Sequence, residues 1–478
     1  MNFLECFKEC KSTILKYKLE IFLMQMGKIV IPIIIVIIVA ALVAYLSQQG
    51  AQAPKTGPTA TSSPTASPPA SATTTTQQTS PSPSQTQRVL KIGCLFDLTG
   101  GTADVGVPWS YGAKSAIDAI NNGELTELKK LGITLQCVER DYGYKIPEAQ
   151  AAYEYFKQQG VVAIIGWGTG DTLALAPQIN KDGIPYFSGS YTLSLVKNPY
   201  NFYTMASYHE AAAAGVVFVK QYFEKAGASP KMALLYPNVP YGLEPLPAIR
   251  EEAKRQGVAI CAEEVVELTA VSADEQVARV RDKCGDAVAI WYGGTVSAGS
   301  VIIKSAYKLG LSKAIFIYNI WGANEATSKL LGPDITKWVG GRLFRVTSAL
   351  MIDDVKKLAQ SGDREASLMV GYINKIGTVT EPFIRGWHAA YILAKGIEYA
   401  VKNGKEPTSE NIKWALENMP EVKTSYAAPV KYMAGDHRPT TTVYIYQMNS
   451  DGTWQKVTEI TLPRGNLADD LARYGVKQ

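Results

Sequence analysis

Beyond Arg88 the sequence alternates short apolar runs with helix-length amphipathic stretches, and this alternation constrains the fold more than any composition figure. Val89–Phe96, Ile133–Glu139, Val162–Ile165 and Ile184–Phe187 read as strands, each running into a turn rich in glycine or acid. Between them Ala113, Ala116, Ile117 and Ile120, and then Ala149, Ala152, Tyr153 and Phe156, recur at helical spacing, with Gly160 closing the second helix. Strands separated by helices pack as a parallel sheet with helices on both faces, and ligands of such sheets sit beyond the carboxyl ends of the strands. After Phe202–Met205 the pattern starts again. Ser207–Glu210 and Ser272–Glu275 read as capping boxes, Met232–Tyr236, Val288–Tyr292 and Ile315–Tyr318 as strands, Phe383–Val401 as a long helix, and Thr442–Tyr446 as a late strand. The expectation is an α/β chain with two doubly wound parallel-sheet lobes in series.

The most informative single stretch is Val161–Pro177, a buried strand, a glycine-rich turn and the start of a helix. Gly166, Gly168 and Gly170 are expected to let the backbone approach a ligand, and Thr169, Asp171 and Thr172 to cap the helix. Such a turn can hold a carboxylate or phosphate on backbone N–H groups and the positive end of a helix dipole. The glycine spacing departs from the dinucleotide fingerprint G-x-G-x-x-G, and no Lys-Ser/Thr pair follows as a nucleoside-triphosphate loop requires. A tight strand-to-helix connection without a ligand remains the alternative.

Ahead of the lobes, residues 29–46 form an apolar run that as a helix spans roughly 27 Å, about the thickness of a bilayer core. Lys8, Lys11, Lys16, Lys18 and Lys28 precede it and no basic residue follows until Lys55, so residues 1–28 are expected to be cytoplasmic and the remainder extracellular. A cleaved signal peptide ending near Ala51–Ala53 is the alternative. Residues 47–87 are almost wholly Ser, Thr, Pro, Ala and Gln and read as a tether without a core of its own. The net charge of +5 and the lack of a basic patch with interleaved aromatics argue against nucleic acid as a partner. The six cysteines include no C-x-x-C spacing and only three histidines accompany them, so no zinc site is expected.

Ile92–Gly100, Ala103-x-x-Gly106 with Tyr111–Ala113, the turn at Gly166, and Tyr241-Gly242 after a strand resemble, in order and spacing, the branched-chain amino-acid-binding proteins, the type I periplasmic binding proteins of ABC importers. The resemblance covers nearly all of the chain from Arg88. It implies lobe one at 88–205 with about 346–435, lobe two at 206–345 with about 436–478, hinge closure on a small molecule, delivery to an ABC permease, and a monomer without cofactor. Carried over by position, Thr169, Gly170, Gly189, Ser190 and Tyr191 hold a carboxylate on lobe one, Tyr241 and Thr295 close from lobe two, and Trp109, Trp167, Trp321 and Phe383 are candidate walls. For each aromatic, core packing is the alternative. The family's acid for a ligand ammonium falls at Ile320, so the expected solute is a branched-chain amino acid or a related amide or aromatic acid, with Asp104, Asp171 or Glu325 as substitute acids.

In the sheet order usual for this fold the first two strands are neighbours, which implies a Cys94–Cys137 disulfide in an extracytoplasmic protein. Cys261–Cys284 is the less favoured pair. A receptor's sensor domain is the rival reading of the fold, set against a segment before residue 29 too short for a signalling domain. No G-x-S-x-G, H-E-x-x-H or Cys–His arrangement points to an enzyme.

Overall fold

A computed structural model describes residues 87–476 of the chain. The expected cytoplasmic segment 1–28, the membrane run 29–46 and the tether up to residue 86 lie outside the described residues. In chain order the first part runs β1 (Arg88–Phe96), α1 (Ala103–Asn122), β2 (Ile133–Asp141), α2 (Ile146–Gln159), β3 (Ala163–Ile165), α3 (Thr169–Asp182), β4 (Tyr186–Phe187) and β5 (Asn201–Phe202). Its five strands form one parallel sheet in the order β2-β1-β3-β4-β5. β3 is buried throughout, as the uninterrupted apolar run requires for a strand covered on both faces.

The chain continues through α4 (Tyr208–Lys225), β6 (Lys231–Tyr236), α5 (Pro240–Leu243), α6 (Leu246–Gln256), β7 (Ala259–Val265), α7 (Asp274–Cys284), β8 (Ala289–Tyr292), α8 (Val296–Lys308), β9 (Ile315–Tyr318), α9 (Ala326–Leu331), α10 (Pro333–Val339) and β10 (Leu343–Thr347). Next come α11 (Ile352–Gln360), α12 (Arg364–Ile376), α13 (Pro382–Lys402), α14 (Ser409–Asn418), β11 (Thr442–Met448), β12 (Trp454–Thr461) and α15 (Leu467–Arg473). The second sheet has seven strands in the order β12-β11-β10-β9-β8-β6-β7. It is not wholly parallel as expected, because β11 runs antiparallel to β10 and to β12. A tight turn in which Asp451 accepts from Thr453 joins β11 to β12, and a turn that short permits only an antiparallel pair. α13 returns to the first sheet's side and lies along α1, where the Phe383 carbonyl faces Gly112.

Ser207 and Glu210 form the expected capping box at α4, with Glu210 N donating to Ser207 Oγ at 3.1 Å and Ser207 N to Glu210 Oε2 at 2.9 Å. Ser272–Glu275 does not. There Ala273 is the N-cap, and Asp274 turns away to accept from Ser305 and Lys308 of α8. The Cys94–Cys137 disulfide joins β1 to β2 with Cα atoms 5.8 Å apart, and Cys94 sits opposite Glu139, two residues along the same face from its partner. Cys261 and Cys284 are also bonded, at 5.5 Å between Cα atoms. This less favoured pair forms because Cys261 lies on β7 and Cys284 ends helix α7, which packs on β7.

Candidate functional site

The turns at the carboxyl ends of the two sheets face each other across a narrow cavity. From the first sheet's side Thr102, Val105, Tyr144, Trp167, Gly168, Thr169 and Gly189 line it; Tyr208, Tyr241, Thr295 and Trp321 close it from the other. The free space is about 20 Å³, room for roughly one water molecule. Rings from the two sides touch, Trp167 and Trp321 having centroids 5.0 Å apart, and on the second side Tyr208 and Tyr241 are equally close.

Specific contacts fix several of the wall residues. The Asp97 carboxylate accepts from Gly100 N, Thr102 N and Thr102 Oγ1, and Thr102 Oγ1 in turn accepts from Trp167 Nε1 at 2.8 Å. The other face of Trp167 lies on Gly189, where a Cβ would fall 2.8 Å from the ring. Ser190 Oγ donates to Thr169 Oγ1 at 2.7 Å. Tyr241 OH donates to the Gly294 carbonyl, and Trp321 Nε1 to Tyr208 OH, both at 3.2 Å. Burial pushes the Tyr144, Tyr208 and Tyr241 phenols above their usual range, so all three face the cavity as neutral hydroxyls.

Helix α3 begins at Thr169, and its N-cap Gly168 and first residue Thr169 both line the cavity. The expected side-chain caps do not form. Gly168 is the N-cap, Thr172 Oγ1 donates to the Gly168 carbonyl and pairs with Ser188 at 2.8 Å, and Asp171 accepts from Tyr142 OH at 2.8 Å. Gly168 is required by packing, since a Cβ there would meet Asp171 Oδ1 at 2.4 Å. Gly170 is not: its nearest neighbour is Pro240 of α5 at 3.7 Å.

Behind Trp321 lies a fully buried ionic cluster. Glu381 accepts from Arg345 Nη2 at 2.6 Å, Arg385 Nε at 2.7 Å and Thr347 Oγ1 at 3.0 Å. Arg345 also holds the Ile320 carbonyl, and the Arg385 guanidinium stands 4.7 Å from the Trp321 ring. Tyr191 stacks on Trp321 at 5.8 Å. Glu325, a substitute acid in the sequence reading, instead accepts from Ile352 N and Glu381 N.

Of the sequence-derived candidates, Trp167, Thr169, Gly189, Tyr241, Thr295 and Trp321 line the cavity. Ser190 and Tyr191 stand directly behind the wall, and Trp109 packs its ring on Trp167 and Trp321 at 5.5 and 6.1 Å. Phe383 does not reach the cavity; it lies in the first turn of α13, buried against α1 and Trp387. Ile320 is buried and Trp321 forms the wall there. Sequence reasoning missed Thr102, Val105, Tyr144 and Tyr208. Tyr144 is, among the described residues, the one non-glycine with a left-handed backbone, φ 59°, a conformation that costs about 1–2 kcal/mol and gathers at ligand sites. Asp141 fastens that turn by accepting from Leu98 N, Gly143 N and Thr99 Oγ1. The Tyr-Gly-Tyr run after the strand-end Asp141 was the available signal.

Residues 89–453 match a family model described as periplasmic binding protein. The crystal structure of an ABC transporter substrate binding protein from Aeropyrum pernix is similar at a TM-score of 0.71 and 26% identity, covering 82% of this chain and 99% of that one. A branched chain amino acid ABC transporter structure from Thermus thermophilus with bound valine gives 0.68 and 22%, over 81% and 99%. A solute binding protein from R. palustris in complex with 4-hydroxybenzoate gives 0.64 and 17%, over 78% and 97%. No curated protein matches the chain by sequence.

Proposed function

This chain belongs to the periplasmic binding protein family, whose general role is solute binding, and from that premise we propose that it captures a carboxylic acid or amide with an apolar body for an ABC importer. The lobes at 88–205 with about 346–435 and at 206–345 with about 436–478 close on the solute, and the run at 29–46 anchors the protein outside the membrane, where it meets its permease. The observation that carries the choice of ligand is the lining itself. Rings, hydroxyls, Val105 and backbone face the cavity, and no ionised side chain does. A carboxylate is accommodated by the first amides of α3 with Thr169, in the field of the helix dipole. An α-ammonium would be buried against Trp321 with no carboxylate beside it, a cost of several kcal/mol. Two structural neighbours hold valine and 4-hydroxybenzoate, solutes that share a carboxylate and an apolar body.

Calorimetry with leucine, its deaminated analogue 4-methylpentanoate, and phenylacetate tests the reading. The two acids should bind at least about tenfold more tightly than leucine, a difference of about 1.4 kcal/mol. Micromolar leucine binding with 4-methylpentanoate inert would reverse it.

A further inference from the structure

We infer that Asp104 and Glu244 are positioning residues that hold the two lobes shut over the cavity, each lobe lending one carboxylate to donors of the other. The inference rests on the two-lobe reading above. Asp104, in the first turn of α1, reaches across to the start of α8, where its Oδ2 accepts from Ser297 N at 3.0 Å and Ser297 Oγ at 2.7 Å. Glu244, just beyond α5, reaches the opposite way, accepting from Ser194 Oγ at 2.9 and 3.0 Å and from Thr192 Oγ1. The two contacts are reciprocal.

Neither contact serves the fold of its own lobe. The Asp104–Ser297 pair is separated by 193 residues of chain. Thr192 and Glu244 lie on opposite sides of the crossing that leads from β5 into α4. Each latch is built beside lining residues on both sides: Asp104 adjoins Val105, Ser297 shares the first turn of α8 with its N-cap Thr295, and Thr192 and Glu244 follow the turns that carry Gly189 and Tyr241. Burial pushes the Asp104 carboxyl above its usual range, and the Ser297 bonds, with the positive ends of α1 and α8, offset part of that. The imidazole nearest Glu244, His209 at 3.7 Å, is held neutral because burial lowers its pKa to about 3, so the hydroxyls alone retain that carboxylate.

Opening the lobes returns these groups to water, and closing them re-forms hydrogen bonds to charged groups. Each set shifts the closed-to-open ratio by about tenfold, and a solute enclosed between the lobes is retained in proportion to the closed fraction.

Hydrogen–deuterium exchange on the full chain, without added solute, tests this. In an Asp104→Ala/Glu244→Ala double variant, which removes both sets, the peptides spanning 166–172 and 293–299 should exchange about a hundredfold faster, while β1 and β6 keep their wild-type rates. The reciprocal Thr192→Val/Ser194→Ala/Ser297→Ala variant, altered only at the side-chain donors, should act in the same direction but less fully, because the Ser297 N–H to Asp104 remains. Asp104→Asn/Glu244→Gln, which keeps an oxygen acceptor at each site, should restore at least part of the protection. Wild-type exchange around the cavity in both sets, or equal loosening of β1 and β6, overturns the inference. Because no solute is present, a failed calorimetric screen leaves this outcome readable by itself.

Discussion

Asp171 is where the charge beneath the cavity can be tested most directly. Its carboxyl is enclosed in the first turn of α3, with Oδ1 accepting from Tyr142 and Oδ2 buried without a partner. Burial raises its pKa from the usual 3.8 to about 7, and the bonds from Tyr142 and nearby backbone offset only part of that. The folded pKa lies above the unfolded one, so the contribution to stability is fully present below pH 3.8 and is lost as pH rises through about 7. At about 1.4 kcal/mol per decade the loss comes to roughly 4 kcal/mol by about pH 8, on the order of 8 °C in melting temperature. Asp171→Asn keeps the shape and cannot ionise. Urea unfolding of both proteins from about pH 4.5 to about pH 8 should therefore show curves that converge in acid and part in base, with the variant the more stable. The subtraction removes Asp104, Glu210, Glu244 and Glu325, which burial also raises but which both proteins share. A solute carboxylate on the α3 amides would feel the same charge. Two carboxylates sharing one helix turn repel by at least about 1.5 kcal/mol at an effective dielectric near 20, so 4-methylpentanoate affinity should weaken at least about tenfold between about pH 6 and about pH 8 in the wild type and stay level in the variant. Parallel stability and affinity curves for the two proteins would refute the argument.

Thr169→Ala removes the hydroxyl paired with Ser190 at the cavity wall and should weaken 4-methylpentanoate binding by about 1–3 kcal/mol with the melting temperature unchanged; Thr169→Ser should be mild, and unaltered calorimetric affinity in Thr169→Ala would remove the residue from the site. Glu381→Gln leaves Arg345 and Arg385 buried beside a neutral group and should cost about 3–5 kcal/mol in urea unfolding; a loss below about 1 kcal/mol would show that the two guanidinium groups find other partners.

The parallel sheets and the turns at their carboxyl ends were legible because the signals are local: apolar runs of strand length, helical spacing between them, and glycine where the chain turns. The second sheet's last strand was not, because β12 is mostly exposed and its residues, Trp454–Thr461, carry no continuous apolar run. Half of the wall was legible for the same local reason, since Trp167, Thr169, Gly189, Tyr241, Thr295 and Trp321 all follow strand ends. Tyr144 escaped because its place in the cavity depends on a left-handed backbone held by Asp141 from outside the turn. Phe383 was misplaced because a residue opening a long helix can face either the cleft or a neighbouring helix, and here the close approach of α13 to α1 decides.

The distribution of charge explains how a cavity can recognise a solute without an ion pair. Asp97, Asp171, Arg345, Arg385 and Glu381 all stand one layer behind the lining, and each acts on the cavity through a neutral intermediary. Asp97 works through the Thr102 hydroxyl to aim the Trp167 indole, Asp171 lies beneath Gly168, Arg345 holds the backbone at Ile320, and Arg385 rests on the outer face of Trp321. These charges orient dipoles and rings, and under the proposed function a solute would meet those dipoles and rings, with the field of ionised Asp171 behind them. Buried charges are poorly screened by salt, whereas exposed ion pairs are strongly screened. A site built this way should therefore keep its affinity for an apolar acid as ionic strength rises, and among monocarboxylates its selectivity should follow the shape of the apolar body.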